Sequence, residues 1–213
     1  MVLGALLVAV AVAVAVAVVG VVVSGDRTLD REGLEKALPT KADVPGYLAN
    51  RGVVTVLGPP GDDVEGRAVL IGEKLDRQCQ VYRANDDPWA CDGLLGMGIV
   101  GFANEKNVDS RISSLVLAYD GNGAARKAWR AMVEQTRKLV GGAAEQVVPR
   151  AGDESVVFAG KSGSVVTVRV GSVVVQAVTH FDYGYRTGNQ PSELKDPIEM
   201  WVKVQTEKIE EAL

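Results

Sequence analysis

The sequence predicts an α+β fold: an N-terminal transmembrane helix followed by one domain with an antiparallel sheet packed against a few helices. Three observations lead to this prediction. The chain opens with a long apolar run, its second half contains two valine-rich segments separated by a two-residue turn, and amphipathic helical patterns accompany the predicted strands. We expect the helices to pack on one face of the sheet.

The apolar run from Val2 to Val23 contains no charged or polar side chain. Its Ala/Val alternation does not indicate a strand, because both residue types are apolar and the period defines no wet face. A helix rising about 1.5 Å per residue crosses the roughly 30 Å hydrocarbon core with about 20 residues. A lone strand would leave its backbone hydrogen bonds unmade in lipid, so the run predicts a helix.

The sequence is compatible with a retained helix and with a cleaved signal peptide. The run is longer than the apolar part of a typical signal peptide, which favours a retained anchor, whereas Ala15-Val16-Ala17 would fit a cleavage site. Arg27 and Arg31 follow the run, and the positive-inside rule alone would place the carboxyl side in the cytoplasm. Because acidic residues interleave with these arginines, we assign the orientation from the cysteines instead.

The two cysteines, Cys79 and Cys91, bracket the segment "CQVYRANDDPWAC". In an exported chain such a pair is most simply one disulfide, and closing a loop of about 13 residues contributes roughly 3 kcal/mol. A structural zinc site would need four Cys or His ligands, but the chain has one histidine. Two free thiols are the remaining alternative. The pair therefore predicts a domain on the extracytoplasmic side.

Composition and length predict one soluble domain after the span. The net charge is −4 with both signs mixed, so there is no basic surface of the kind that nucleic acid requires. About 190 residues follow the apolar run, enough for a single core. We expect an anchor or signal segment over 1–25, a short helical linker over 26–42 and an extracytoplasmic α+β domain over 43–213.

The first half of the soluble part predicts a short helix and several strands. "TLDREGLEKALPT" predicts a helix with Thr28 as a possible cap and Pro39 at its end. "GVVTVLG" predicts a strand, residues 67–79 are ambiguous, and the glycine spacing over 93–102 favours a strand. "RISSLVLAY" predicts a further strand.

Two longer helices are predicted. "DGNG" turns the chain into "AARKAWRAMVEQTRKLV", with Asn122 as a plausible cap. The closing helix is capped by Asp196 and has Pro197 at its first position. The inner faces are Ala125, Ala128, Met132 and Leu139 in the first helix, and Ile198, Trp201, Val202, Gln205 and Ile209 in the second.

The clearest local structure is a hairpin in "SVVTVRVGSVVVQAVTH", which turns at Gly171-Ser172. This turn pairs Val170 with Val173, Val168 with Val175, and Val166 with Ala177, all on one apolar face. The opposite face is mixed and carries Val165, Thr167, Arg169, Val174, Gln176, Val178 and His180. It is either half-wet or covered by another element.

Four short motifs resemble binding motifs but lack part of the required pattern. "GMGIVG" matches the dinucleotide fingerprint, yet a cysteine loop precedes it and "FANEKN" follows. "GKS" lacks the first glycine of a phosphate loop, and "DGNG" has Ala125 and Ala131 where a calcium loop requires Gly and Glu. "NDD" with Asp92 could bind a cation, although a solvated loop is the simpler interpretation. We expect no cofactor and no metal site.

The histidine, His180, begins an aromatic segment, "HFDYGYRTGNQPS". Aromatic side chains beside a histidine and a cation are typical of a binding rim, although these rings could instead cover the apolar end of the sheet. The candidate ligand-binding residues are His180, Phe181, Tyr183, Tyr185 and Arg186. No G-x-S-x-G motif accompanies His180, so we predict no catalytic residue, and an exported hydrolase using His180 is the enzymatic alternative.

A family resemblance extends over about residues 37–213. The order "LPTKADVPGY", a cysteine-bearing middle, "AYDGNGAARKAWRAM", "GDES" and "VRVGSVVVQAV" resembles actinobacterial extracytoplasmic sensor-like domains. These include the extracellular domain of certain mycobacterial serine/threonine kinases. The resemblance implies an α+β domain with a cleft and an extracytoplasmic ligand. This chain differs from that kinase domain in two ways. The kinase domain carries two disulfides whereas this chain has one cysteine pair, and no kinase precedes the span here.

Together these features predict a single-pass membrane protein with an extracytoplasmic, sensor-like domain that binds a ligand or protein partner without catalysis. If the N-terminal segment is cleaved, the domain would be secreted. The membrane is the expected partner of the N-terminal helix, and nucleic acid is not an expected partner. An envelope scaffold without a small ligand is a further alternative.

Overall fold

The computed structural model describes residues 27–50, 66–84, 91–106, 110–140, 144–146, 151–160, 163–181 and 197–213. The predicted N-terminal span, the predicted strand "GVVTVLG", the cap Asp196 and most of the aromatic segment lie outside these residues. Across the part of the chain that the structure describes, no helix combines the length and the apolar character that a membrane crossing needs.

The described residues form an α+β fold, as predicted. The strands are β1 Tyr47–Ala49, β2 Arg67–Leu70, β3 Leu94–Asn104, β4 Ser110–Tyr119, β5 Ala144–Gln146, β6 Glu154–Gly160, β7 Gly163–Val170 and β8 Val173–Phe181. The helices are α1 Arg31–Ala37, α2 Gly72–Ala84, α3 Asn122–Leu139 and α4 Ile198–Ala212, with a 3-10 turn at Lys41–Asp43. The strands form one antiparallel sheet in the order β1-β3-β4-β8-β7-β6-β5, and β2 also pairs with β3.

The central hairpin has the predicted register. Val170 pairs with Val173, Val168 with Val175, and Val166 with Ala177 across β7 and β8. These six side chains are buried in one core together with α1 and α4. The two-residue turn at Gly171 therefore set both the pairing and the buried face, because a hairpin's register follows from its turn.

Helices cover both faces of the sheet, so the expectation of helices on one face was wrong. α2 and α3 pack on the mixed face against Met97, Ile99 and Leu117. The polar groups of that face find partners in α3, where Trp129 Nε1 donates to the Thr167 carbonyl at 3.2 Å. Gln176 Nε2 likewise donates to Thr136 Oγ1 at 3.0 Å. The Gln176 side chain can thus lie on a covered face because the covering helix supplies its hydrogen bond, whereas the buried Thr167 Oγ1 has no hydrogen-bond partner among the described residues.

The glycines of "GMGIVG" lie inside β3 and allow α1 to approach the sheet. A Cβ atom at Gly96 would overlap Leu34 Cδ1, and one at Gly98 would lie 2.9 Å from Leu38 Cδ2. Both leucines are fully buried. Gln205 of α4 fixes the same helix by donating to the Ala37 carbonyl at 2.7 Å.

Several local predictions change at the helix ends. Asp30, not Thr28, caps α1, because its carboxylate accepts from the Gly33 amide at 2.8 Å.

Asn122 is the first residue of α3 and Gly121 occupies the cap position. Leu139 is 78% exposed, since the buried stripe of α3 ends one turn earlier at Thr136. The predicted inner face of α4 is buried throughout.

Candidate functional site

The predicted aromatic rim is only partly within the described residues. His180 and Phe181 form the end of β8, where their backbones pair with Arg111 and Ser110 of β4. Tyr183, Tyr185 and Arg186 lie outside the described residues. The rim therefore stays a prediction.

The predicted disulfide is present and joins Cys79 to Cys91. Both cysteines are buried, and the bond ties α2 to the chain that enters β3. The neighbouring Asp92 pairs with Lys127 of α3 at 2.8 Å. The free-thiol alternative is wrong, because both thiols of the chain are used in this bond.

A charged side chain lies buried on the mixed face of the hairpin, close to its turn. Arg169 of β7 is only 4% exposed. Its Nε donates to Glu154 Oε2 at 2.5 Å, and its Nη1 lies 2.9 Å from Asp153 Oδ2. The same Nη1 donates to the Gly171 carbonyl at 2.8 Å. Because a buried guanidinium is costly without such partners, these contacts hold Arg169 in one position.

The segment "GDES" supplies the partners of Arg169, and its backbone is shaped for close approach. Gly152 has φ +63°, and a Cβ atom there would overlap the Arg169 carbonyl oxygen. The next residue, Asp153, donates its amide to that carbonyl at 2.8 Å. Its carboxylate also accepts from the Gly171 amide at 2.8 Å, which fixes the hairpin turn. The segment thus binds both the side chain of Arg169 and the turn beyond it.

These residues form one wall of an open cleft of about 500 Å³. The first turns of α3 form the other wall, so the cleft lies between the hairpin, the start of β6 and the start of α3. Its lining consists of Asn122, Arg126, Asp153, Glu154 and Arg169. Arg126 Nε lies 3.5 Å from Glu154 Oε2, and the Arg126 side chain is 54% exposed.

The lining defines what the cleft can do chemically. Its described lining residues offer two guanidinium groups, two carboxylates and one amide, and none of these residues carries a hydroxyl, thiol or imidazole group. Fixed charges of this kind can bind and orient a polar ligand. Within the described ranges, no group of three or more His, Cys, Asp or Glu side chains is arranged to hold a metal ion.

The cleft and the backbone of His180 lie at opposite ends of the hairpin. Arg169 pairs with Val174, six residues before His180 along β8. At about 3.3 Å per residue the two backbone positions are about 20 Å apart. The structure therefore separates the described start of the rim, at His180, from the charged cleft.

Sequence reasoning placed Arg169 on the mixed face but did not assign it to a site. An arginine in the middle of a valine-rich strand was the available signal, because a buried charge requires a partner. The acidic residues in "GDES" contributed to the family resemblance and were not assigned to a site. Their pairing across 15 and 16 positions depends on strand order, which the local pattern does not specify.

Fold and cleft together describe one class of domain. It is an α+β domain with helices on both faces of an antiparallel sheet and a charged cleft at one end. No family model matches the chain, and no curated protein matches it. Among solved structures, the chain is similar to the extracellular domain of PknH from Mycobacterium tuberculosis. The TM-score is 0.48 and the identity 13%, over 88% of this chain and 100% of that domain. This neighbour is an extracellular domain of the kind that the sequence resemblance named.

Proposed function

We propose that the protein is a membrane-anchored, extracytoplasmic binding domain that holds a ligand in the Arg169 cleft and has no catalytic activity of its own. The observation that carries this proposal is the open cleft of about 500 Å³ whose charged wall is fixed by a 4% exposed arginine. The proposed division is an anchor or signal segment over 1–25, the linker over 26–42 and the binding domain over 43–213.

The fixed position of Arg169 supports ligand binding in the cleft. Arg169 contacts Glu154, Asp153 and the Gly171 carbonyl, so its position does not depend on a ligand. A cleft wall that is already held in place loses little conformational entropy when the ligand arrives.

The disulfide and the apolar run support the extracytoplasmic location. Disulfides form and persist in oxidising compartments and are rare in the cytosol. The run over 2–23 is long enough to span a bilayer as a helix. Shortly after it, Arg27 is already attached to the domain, because its carbonyl accepts from Ser172 Oγ at 2.5 Å.

Native mass spectrometry of the full chain, released from detergent micelles, tests the proposal. We expect the wild type to carry a co-purified small molecule and the Asn122→Ala/Arg126→Gln variant to lose it. Arg130→Gln is the matched control, since it removes the same charge from an exposed position of α3 outside the cleft lining. Retention of the molecule by the cleft variant, or no bound molecule in any preparation, would count against the proposal.

The aromatic rim is a second proposed binding surface on the same domain. We expect a Tyr183→Ala/Tyr185→Ala variant to weaken capture of a protein partner or ligand if the rim contributes. Unchanged binding by a folded variant would remove the rim from the account and leave the cleft as the proposed site.

A further inference from the structure

We infer that the cleft recognises an anionic group, a phosphate or a carboxylate, which is held by Arg126 and Asn122. This inference deepens the proposed function and rests on it. It follows from the balance of hydrogen-bond donors and acceptors in the cleft.

The carboxylates of the cleft already have strong partners. Glu154 Oε2 accepts from Arg169 Nε at 2.5 Å. Asp153 Oδ2 accepts from the Gly171 amide at 2.8 Å and pairs with Arg169 Nη1 at 2.9 Å. A cationic ligand would therefore have to compete with a buried guanidinium that cannot move to water.

The donors on the opposite wall are less occupied. Among the described residues, the ion pair of Arg126 is its 3.5 Å contact with Glu154, at the oxygen that Arg169 holds more closely. A guanidinium has five N–H donors, so Arg126 can still bind an anion through two of them. The Asn122 side chain lines the same cleft, is exposed and has no hydrogen-bond partner within the described residues.

The start of α3 adds positive potential to these two side chains. Its cap residue, Gly121, provides no side-chain hydrogen bond, and the first turn contains no acidic residue. The amides of a first turn have no partner within the helix and carry the positive end of its dipole. A Cβ atom at Gly123 would meet nothing within 4 Å, so the turn is open to a ligand.

The anion could come from solution or from a lipid headgroup, because Arg27, which is bound at the hairpin turn, closely follows the predicted membrane anchor in the sequence. Ser172, whose hydroxyl donates to the Arg27 carbonyl, directly follows Gly171, whose carbonyl accepts from Arg169 of the cleft. The four residues from Ser24 to Arg27 span at most about 14 Å when extended. Both sources would present the same chemistry to Arg126.

The experiment uses the full chain in nanodiscs of phosphatidylcholine and measures its affinity for inorganic phosphate at low salt. We expect saturable binding, weakened about tenfold or more by Arg126→Gln and left near the wild-type value by Arg130→Gln. A second arm replaces part of the lipid with phosphatidylglycerol. Reduced phosphate affinity in those discs would assign the site to headgroups, and unchanged affinity would assign it to a free anion.

Absence of phosphate binding, or equal losses in the two arginine variants, would overturn the inference. A parallel titration with ethylammonium separates this failure from failure of the proposed function. Binding of ethylammonium that is lost in Glu154→Gln would leave the cleft as a binding site and reject its anion preference. The co-purified molecule tests the proposed function independently of either probe.

Discussion

Arg169 is the residue on which the shape of the cleft depends, because its guanidinium joins β7 to Glu154, Asp153 and the hairpin turn. Replacing it by methionine keeps much of the volume but leaves both carboxylates without their main partner. Since these carboxylates are partly exposed and can rehydrate, we expect Arg169→Met to lower the free energy of unfolding by about 2–3 kcal/mol. Urea denaturation measures this change.

The control for this substitution is Arg130→Met, at an exposed position of α3. Its effect should lie within about 0.5 kcal/mol of zero. Equal stability of the two variants would show that the ion pairs of Arg169 do not hold the fold together at this end.

Gly152 is a second residue whose substitution has a defined outcome. Alanine there would need φ near +63° and would overlap the Arg169 carbonyl, so we expect a loss of at least about 2 kcal/mol. Gly123 is the matched control, because it lies in α3 with open space around it. Gly123→Ala should stabilise the protein by about 0.5 kcal/mol. Thermal unfolding compares both, and shifts of the same sign would contradict this account.

At the scale of the elements, the Cys79–Cys91 bond ties α2 to β3. Reduction should lower the free energy of unfolding by roughly 3 kcal/mol, because the bond limits the unfolded chain. Urea denaturation with and without reductant measures the loss. A Cys79→Ala/Cys91→Ala variant should be insensitive to reductant, and a wild type that is equally insensitive would argue against a stabilising role.

A pH-dependent contact connects the 3-10 turn to α4. Lys208 Nζ lies 2.9 Å from Asp43 Oδ1, and the Thr40 amide and hydroxyl each donate to Asp43 Oδ2 at 2.8 Å. Burial alone would raise the pKa of Asp43, but the hydrogen bonds from Thr40 and Lys208 outweigh burial and lower this pKa. A lowered pKa stabilises the fold above the unfolded value, near pH 4, and this contribution is lost as the pH falls through the folded value.

We therefore expect Asp43→Asn to be less stable than wild type by about 1 kcal/mol or less at pH 7. The difference should shrink as the pH falls below about 4. Denaturation curves between pH 2.5 and 7 give this difference directly. A gap that is constant over the whole range would mean that ionisation of Asp43 does not contribute.

The elements also show which features the sequence could predict. The register of β7 and β8 and the buried face of α4 were predicted, because both depend on local periodicity and on one turn. The helices on the second face were not predicted, because Gln176 resembles a wet position until Thr136 accepts its hydrogen bond, and Trp129 contacts this face through the backbone carbonyl of Thr167. Those partners lie about 40 positions away, so strand and helix order had to be known first.

The candidate site follows the same rule. The disulfide was predicted because a single cysteine pair leaves one pairing. The cleft was not predicted, because Arg169 and "GDES" are brought together by the pairing of β6 with β7. The rim was predicted from composition alone, and of its residues the structure describes the backbones of His180 and Phe181, at the other end of the hairpin.

At the scale of the whole molecule, Arg27, the hairpin turn and Leu213 meet at one place. Arg27 Nη1 donates to the Leu213 carbonyl at 3.3 Å, while the Arg27 carbonyl accepts from Ser172. Gly171 of the same turn contacts Arg169 in the cleft. The cleft is thus connected through one turn to the residue that follows the proposed anchor.

Hydrogen–deuterium exchange of the full chain in nanodiscs, with its co-purified ligand and after stripping, measures whether the ligand occupies the cleft. We expect slower exchange with ligand at residues 122–126 and at 152–154, and unchanged exchange at 180–186. Protection confined to 180–186, or no difference anywhere in the chain, would contradict the assignment of the cleft as the binding site.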